Sequence, residues 1–482
     1  MSLEVYIPAA IALAHIAIIV TLGLVILLRK NLDSTTRIAW LLLIGVAPFM
    51  GAMLYLLIGE IRLGTKRIGR HREVVLRRSA EFFQPIQQPL PIEIEPPFHQ
   101  IARLAEIVGG SIPRAGNTVE LFGNATDTIT AMVRDIDAAE HTVHLLTYIY
   151  LTDTTGCGLA KALIRAAERG VICRVLADAV GSQGFLSSGL MQQMTDAGVV
   201  VTPALHVGAL RAVFKRLDLR NHRKITVVDG SIGYTGSRNI ADASFAPKRR
   251  YAPWVDAMIR IEGPAVADLD RIFAEDWYLD TDDWIEDELP RLADEPFDKD
   301  GVTAQLVATG PNAANDAVRH VIQAALHLAQ DEIILTTPYF VPDQATSTAL
   351  MTAAQRGVDV QLIVPARNDS RLVAAASRSY YGQLLDAGVR IFEFTGGLLH
   401  AKTLSIDRRL GILTSANLDR RSLFLNFEAS VIVYDTDFAS QLRQLQMEYC
   451  NTAREIDSAS WSSRHWPTRL WQNAAGLLSP LL

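Results

Sequence analysis

The chain has 482 residues, of which 49% are hydrophobic and 20% charged, a composition that excludes an intrinsically disordered polypeptide. Its mean hydropathy of +0.17 is high for a water-soluble enzyme and asks where the apolar excess sits. The net charge of −6 speaks against a nucleic-acid partner, and Cys157, Cys173 and Cys450 are too few and too scattered for a zinc site or a disulfide framework.

The excess lies at the start. Residues 5–28 and 38–58 carry no charged side chain, and each run is long enough to cross a hydrocarbon core of ~30 Å. A cleaved signal peptide would have its basic residues before the first run, whereas Arg29 and Lys30 follow it. Residues 1–60 are therefore predicted to hold two transmembrane helices. The loop between them has Arg29, Lys30 and Arg37, and the stretch after them has Arg62, Lys66, Arg67, Arg70, Arg72, Arg77 and Arg78. That excess predicts a cytoplasmic location for everything that follows. Residues 61–116 read as a basic juxtamembrane segment and a tether, because QPIQQPLPIEIEPP (84–97) is too proline-rich for a regular element.

Beyond residue 117 the sequence repeats itself. VHLLTYIYL (143–151) matches EIILTTPYFV (332–341), and LIRAAERGV (163–171) matches LMTAAQRGV (350–358). TDAGVVV (195–201) matches LDAGVRI (385–391). Each of the latter two pairs reads as a helix closed by glycine before a strand. HRKITVVD (222–229) then matches HAKTLSID (400–407), 178 residues later, in a chain with only eight lysines. The prediction is two related α/β domains, 117–290 and 300–455, joined by an acidic connector at 280–300. Residues 456–482, with three tryptophans, read as an interfacial tail.

The octets bring chemistry with them. Alternation along a strand turns His222 with Lys224, and His400 with Lys402, to one side. Asp229 and Asp407 complete the octets and are counted with their catalytic set, although parity turns them away, to brace the strand end. GSRN (236–239) and TSAN (414–417) follow, pairing Ser237 with Asn239 and Ser415 with Asn417. Two imidazoles among lysine and asparagine donors suit a phosphodiester. One imidazole attacks phosphorus, the other moves the alcohol proton, and the lysines supply the positive charge without a metal or cofactor. Asp256 and Glu428, 34 and 28 residues past the histidine of their own copy, are candidate orienters. Tyr148 and Tyr339 sit at matching strand ends and read as core packing.

HxKxxxxD followed by GSxN, in two copies over about 117–455, resembles the phospholipase D superfamily. The resemblance implies two tandem α-β-α domains sharing one site on a pseudo-twofold axis, with a phosphohistidine intermediate on His222. The residues alone leave open which histidine is the nucleophile. YLLIGEIRLG (55–64), KRLDLRNHRK (215–224), LDRRSLFLNFE (418–428) and LLSPLL (477–482) look like the bacterial cardiolipin synthase branch of that superfamily. That branch implies phosphatidylglycerol as donor and acceptor, a bacterial inner-membrane location and no nucleic acid; oligomeric state stays open. A phosphodiesterase using water is the alternative. GALRAVFKRLDLRNH (208–222) reads as a basic amphipathic helix for the headgroup layer, joined by Phe185, Leu186 and Leu190. Lys248-Arg249-Arg250 reads as a solvated loop, with an anionic headgroup contact as the alternative.

Overall fold

The computed structural model describes residues 3–29, 34–59, 65–81, 92, 94–205, 219–285, 300–311, 316–477 and 479. The chain divides into an N-terminal helical unit and a larger body that begins at Lys66. In the first unit, the helix Leu3–Leu28 contains a segment, Ala10–Leu28, long and apolar enough to cross a membrane. The second expected span is not one helix. Ser34–Val46, Pro48–Leu54 and a π-helical turn, Tyr55–Gly59, follow one another. The break falls at Ala47 (φ −135°, ψ 73°), because Pro48 has no N–H to donate and pushes the residue before it out of helical space. The pieces pack around Ile26, Trp40, Ile44 and Tyr55, with the rings of Trp40 and Tyr55 edge to face at 5.2 Å.

The body is built on one sheet. Its first-half strands are β1 (Arg114–Phe122), β2 (Thr142–Thr147), β3 (Ile172–Asp178), β4 (Val200–Ala204), β5 (Ile225–Val228), β6 (Ile232–Gly236) and β7 (Met258–Glu262). The second half supplies β8 (Val302–Thr309), β9 (Glu332–Thr336), β10 (Asp359–Pro365), β11 (Arg390–Phe394), β12 (Thr403–Ile406), β13 (Leu410–Thr414) and β14 (Glu428–Tyr434). Read outward from the middle, the first half runs β1-β7-β6-β5-β2-β3-β4 and the second β8-β14-β13-β12-β9-β10-β11. The two orders are the same, so the repeats in the sequence are repeats of structure. A last strand, β15 (Ala453–Glu455), is added outside β11. The two predicted domains are thus halves of one body, joined where β1 pairs antiparallel with β8.

The inner strands are buried on both faces, as expected of a sheet covered on both sides. One face carries Val266–Thr281 and Thr436–Asn451, a helix from each half, over a core that includes Leu146, Ile334, Phe273 and Phe438. The other carries Ala125–Ala138 and Thr154–Glu168 over the first half. Ala317–Leu328, Gln344–Gln355 and Arg371–Asp386 cover the second. Helix-closing glycines repeat as the sequence predicts: Gly170, Gly198, Gly357 and Gly388 have φ of +95° or +96°.

Several expectations change. The stretch 61–116 is more than a tether. Thr65–Glu81 is a helix whose Arg70 donates to Leu279 O at 3.0 Å, with Arg67 paired to Asp280. His99–Gly109 is a helix that enters the core through Ile101 and Ala105. Phe185 is buried and stacked on Tyr150, so it belongs to the core rather than to an exposed face, and Leu186 and Leu190 pack half-buried against the same core. Most of the basic helix expected at 208–222, most of the proline-rich stretch and most of the acidic connector lie outside the described residues.

Candidate active site

His222 and Lys224 lie in the extended lead-in to β5, and His400 and Lys402 in the lead-in to β12, rather than within the strands. Each lead-in is clipped to the other half. Asn221 bridges to Phe427, and His222 N donates to Phe427 O at 2.9 Å. Leu398–Leu399 pairs parallel with Trp254–Val255, and His400 N donates to Val255 O at 2.7 Å. Each histidine is thereby carried to the segment that holds the other half's carboxylate.

The orienters are therefore crossed. His222 Nδ1 lies 3.0 Å from Glu428 Oε2 and 3.0 Å from Ser415 O. His400 Nδ1 lies 2.6 Å from Asp256 Oδ1. Both acids are orienters, but each serves the histidine of the other copy rather than the one that precedes it along the chain. Every partner at either Nδ1 is an acceptor, so Nδ1 carries the proton and the neutral ring presents a lone pair at Nε2. Ser237 Oγ donates to Asp256 Oδ1 at 2.7 Å, and Ser415 Oγ bonds Glu428. These serines position the carboxylates rather than reaching toward a phosphate. Asn426 Nδ2 donates to Glu428 Oε1 at 3.2 Å, a contact without a counterpart in the repeat motif.

Burial lowers both imidazoles to about 4, helped by the octet lysines and opposed by the facing carboxylates. Burial also lowers Lys224 to about 7 and Lys402 to about 8. On Asp256 and Glu428 burial pushes the pKa up, but the facing imidazole and the lysines outweigh it, so both carboxyls sit below their ordinary values. The result at neutral pH is two ionised carboxylates and two neutral rings. Lys224 Nζ donates to His222 O at 2.6 Å and Lys402 Nζ to His400 O at 2.7 Å, leaving N–H groups on each for another acceptor. Asn239 Oδ1 accepts from Ile149 N at 3.2 Å, while Asn417 Oδ1 is buried without a hydrogen-bond partner among the described residues.

Asp229 and Asp407, counted with the catalytic set on the strength of the octet, are spent elsewhere. Asp229 accepts from the backbone N–H of Glu140, His141 and Thr142, and Asp407 from those of Gln330, Asp331 and Glu332, all at 2.8 to 2.9 Å. Both have positive φ (50° and 52°) and close the turn after the strand. The departure of Thr414 from Gly236 is also structural. Gly236 has φ +146°, and a Cβ there would meet Ala257 O at 2.4 Å. Thr414 instead accepts from Ala416 N at 3.0 Å.

The sequence placed Tyr148 in the core and did not single out Trp254. Tyr148, half-buried rather than core, tilts over His222 with ring centroids 5.0 Å apart, and Lys224 Nζ lies 5.5 Å from the same ring. Trp254 lies 4.6 Å from the His400 ring. Tyr339 is half-buried too, and its hydroxyl donates to Asp369 at 2.7 Å. Their signal was position, at strand ends and beside Asp256, not residue type. Among the described residues no group of three or more His, Cys, Asp or Glu side chains could hold a metal ion.

Two imidazoles held at Nδ1 by carboxylates across a pseudo-twofold sheet, each with a lysine two residues on, define a phospholipase D-type site. A family model described as "Cardiolipin synthase, PLD-like domain" matches residues 132–277 and 322–448, and one described as "Phospholipase_D-nuclease N-terminal" matches 16–60. Cardiolipin synthase A of Yersinia pseudotuberculosis is 36% identical over 464 residues, 95% of either chain, and that of Yersinia pestis is equally similar. The crystal structure of a phosphatidylserine synthase from Haemophilus influenzae shares the fold at a TM-score of 0.60 and 15% identity, covering 80% of this chain and 100% of its own. The chain belongs to the cardiolipin synthase family of the phospholipase D superfamily.

Proposed function

We propose that the protein is a phosphatidyltransferase that condenses two phosphatidylglycerols into cardiolipin and glycerol. The observation that carries this reading is the crossed pair of carboxylate-held imidazoles, taken with family membership over 95% of the chain. His222 Nε2 attacks the donor phosphorus, and the bond from phosphorus to the headgroup glycerol oxygen breaks. His400, protonated at Nε2 once the lipid's anionic phosphate lies beside it, gives that proton to the departing glycerol. The phosphatidyl group is then bonded to His222. A hydroxyl of the second phosphatidylglycerol loses its proton to His400 and attacks phosphorus, and the phosphorus–nitrogen bond breaks to restore His222. Lys224, Lys402, Asn239 and Asn417 hold the non-bridging oxygens as charge builds in the transition state.

The protein is proposed to sit in the bacterial inner membrane through Ala10–Leu28 and a second, broken crossing made by Thr36–Val46 and Pro48–Leu57. The excess of Lys and Arg after residue 60 supports a cytoplasmic body. The test is a product assay with labelled phosphatidylglycerol in mixed vesicles. One glycerol released per labelled cardiolipin is expected; labelled phosphatidic acid alone would make water the acceptor and overturn the transferase reading.

A further inference from the structure

A cavity of about 450 Å³ opens in the body among Arg250, Arg367, Asn368, Arg371, Arg378 and Trp471. Among the described residues no octet residue and no acidic residue lines it. Four guanidiniums around one space repel one another, and the fold relieves little of that. Arg378 is paired, with Nε and Nη2 3.1 and 2.8 Å from Glu393 Oε1. Arg250 lies over the ring of Tyr251 at 4.6 Å and donates to its hydroxyl. Arg367 and Arg371 are exposed and hold no ion pair or hydrogen bond among the described residues. The neighbouring carboxylate of Asp369 is already taken by Lys248 and by the hydroxyl of Tyr339. Arg464, just ahead of the last helix, is held below the ordinary guanidinium value by burial and by the charges of Arg469 and Arg378.

The last helix, Trp466–Gly476, supplies a second observation. Its Ala475 packs with Ala375 and Ala376 of the helix Arg371–Asp386. On its outer side Trp466 (73% exposed), Leu470 (60%) and Trp471 (55%) face outward, followed by Leu477 (81%). An uncovered face of tryptophan and leucine beside clustered arginines suits the boundary between headgroups and acyl chains. Guanidinium forks match the oxygens of a phosphate, and a cavity of several hundred Å³ is of the size that admits a polar headgroup.

We propose that this cavity is a second, non-catalytic site for the phosphate of an anionic phospholipid headgroup, seated with Trp466, Leu470 and Trp471 in the interfacial layer. It rests on the lipid-handling reading for the kind of phosphate, and none of the described residues that line the cavity belongs to the two octets. The segment that brings Arg250 to the cavity continues through Trp254, against His400, to Asp256, so a headgroup held there lies on the same strand of chain as the catalytic machinery.

The test is arginine labelling of the full chain in detergent with phenylglyoxal, read by peptide mass spectrometry. The added probes are dihexanoyl phosphatidylglycerol, dihexanoyl phosphatidylcholine and inorganic phosphate. At about ten times its half-saturating concentration the anionic lipid should slow labelling of Arg367 and Arg371 roughly tenfold, by simple occupancy. Phosphatidylcholine should protect neither, and Arg390, exposed and paired with Glu455, should label alike throughout. Absence of protection overturns the site. Equal protection by inorganic phosphate at the same concentration overturns the lipid source and leaves only a general anion site. The readout does not depend on turnover, so a chain that makes phosphatidic acid instead of cardiolipin would overturn the transferase reading and leave this one standing.

Discussion

Burial sets the working pH of the individual side chains. The lysines at about 7 and 8 lose their charge as pH rises through those values, so kcat/KM should fall on the alkaline side with apparent pKa values between 7 and 8. In the lipid-free chain the imidazoles, at about 4, stay neutral until acid protonates the His222 nucleophile, which places the acid limb of the same profile near pH 4. A stability consequence follows with a definite sign. Between the ordinary histidine value of 6.5 and about 4, the unfolded chain binds protons at His222 and His400 that the folded chain does not. Unfolding free energy should therefore decline as pH falls across that window, and denaturant titrations at several pH values would register it. Glu428→Gln should lower kcat by roughly two to four orders of magnitude, as the loss of a charged histidine partner does elsewhere, with KM nearly unchanged in the product assay. His, Lys and Ser were legible as residues because the repeat marks them twice. The crossing of Asp256 and Glu428 was not, because nothing along one strand of sequence says which half supplies a neighbour in space.

At the scale of elements, the octet aspartates hold turns rather than substrate. Asp407→Ala removes a carboxylate from three amides and leaves alanine at positive φ, at a cost of about 2–4 kcal/mol. Thermal unfolding should show that loss, while kcat per folded molecule stays within a few-fold of the parent; a collapse of kcat at unchanged stability would return Asp407 to the chemistry. Gly236→Ala should destabilise and inactivate together, since its Cβ has backbone in the way, whereas Thr414→Ala in the matching place should be mild. The strands and the glycine-closed helices could be read because each half spells them again. The broken second apolar helix was misread by weighing its lack of charge over the proline at 48. The core helix His99–Gly109 was hidden by the proline run before it, although Ile101, Ala102 and Ala105 share one face and Gly110 caps it.

The whole molecule adds what neither half contains. With the halves sewn together at β1 and β8, each histidine meets its carboxylate only when both are present. A mixture of His222→Ala and His400→Ala chains should therefore make no product, because every site draws both histidines from one chain; recovery of activity on mixing would mean that sites assemble between chains. That the two domains form one sheet was not legible, since β1 and β8 pair across 180 or more intervening positions. The crossing also has a hereditary consequence. A single copy of the repeat carries a histidine whose orienting acid is missing and an orienting acid with no histidine to serve, so it is useful only beside a second copy of itself. Duplication within one chain made that companionship permanent, and from then on neither copy could drift alone: a change at residue 256 is felt at residue 400, and one at 428 is felt at 222.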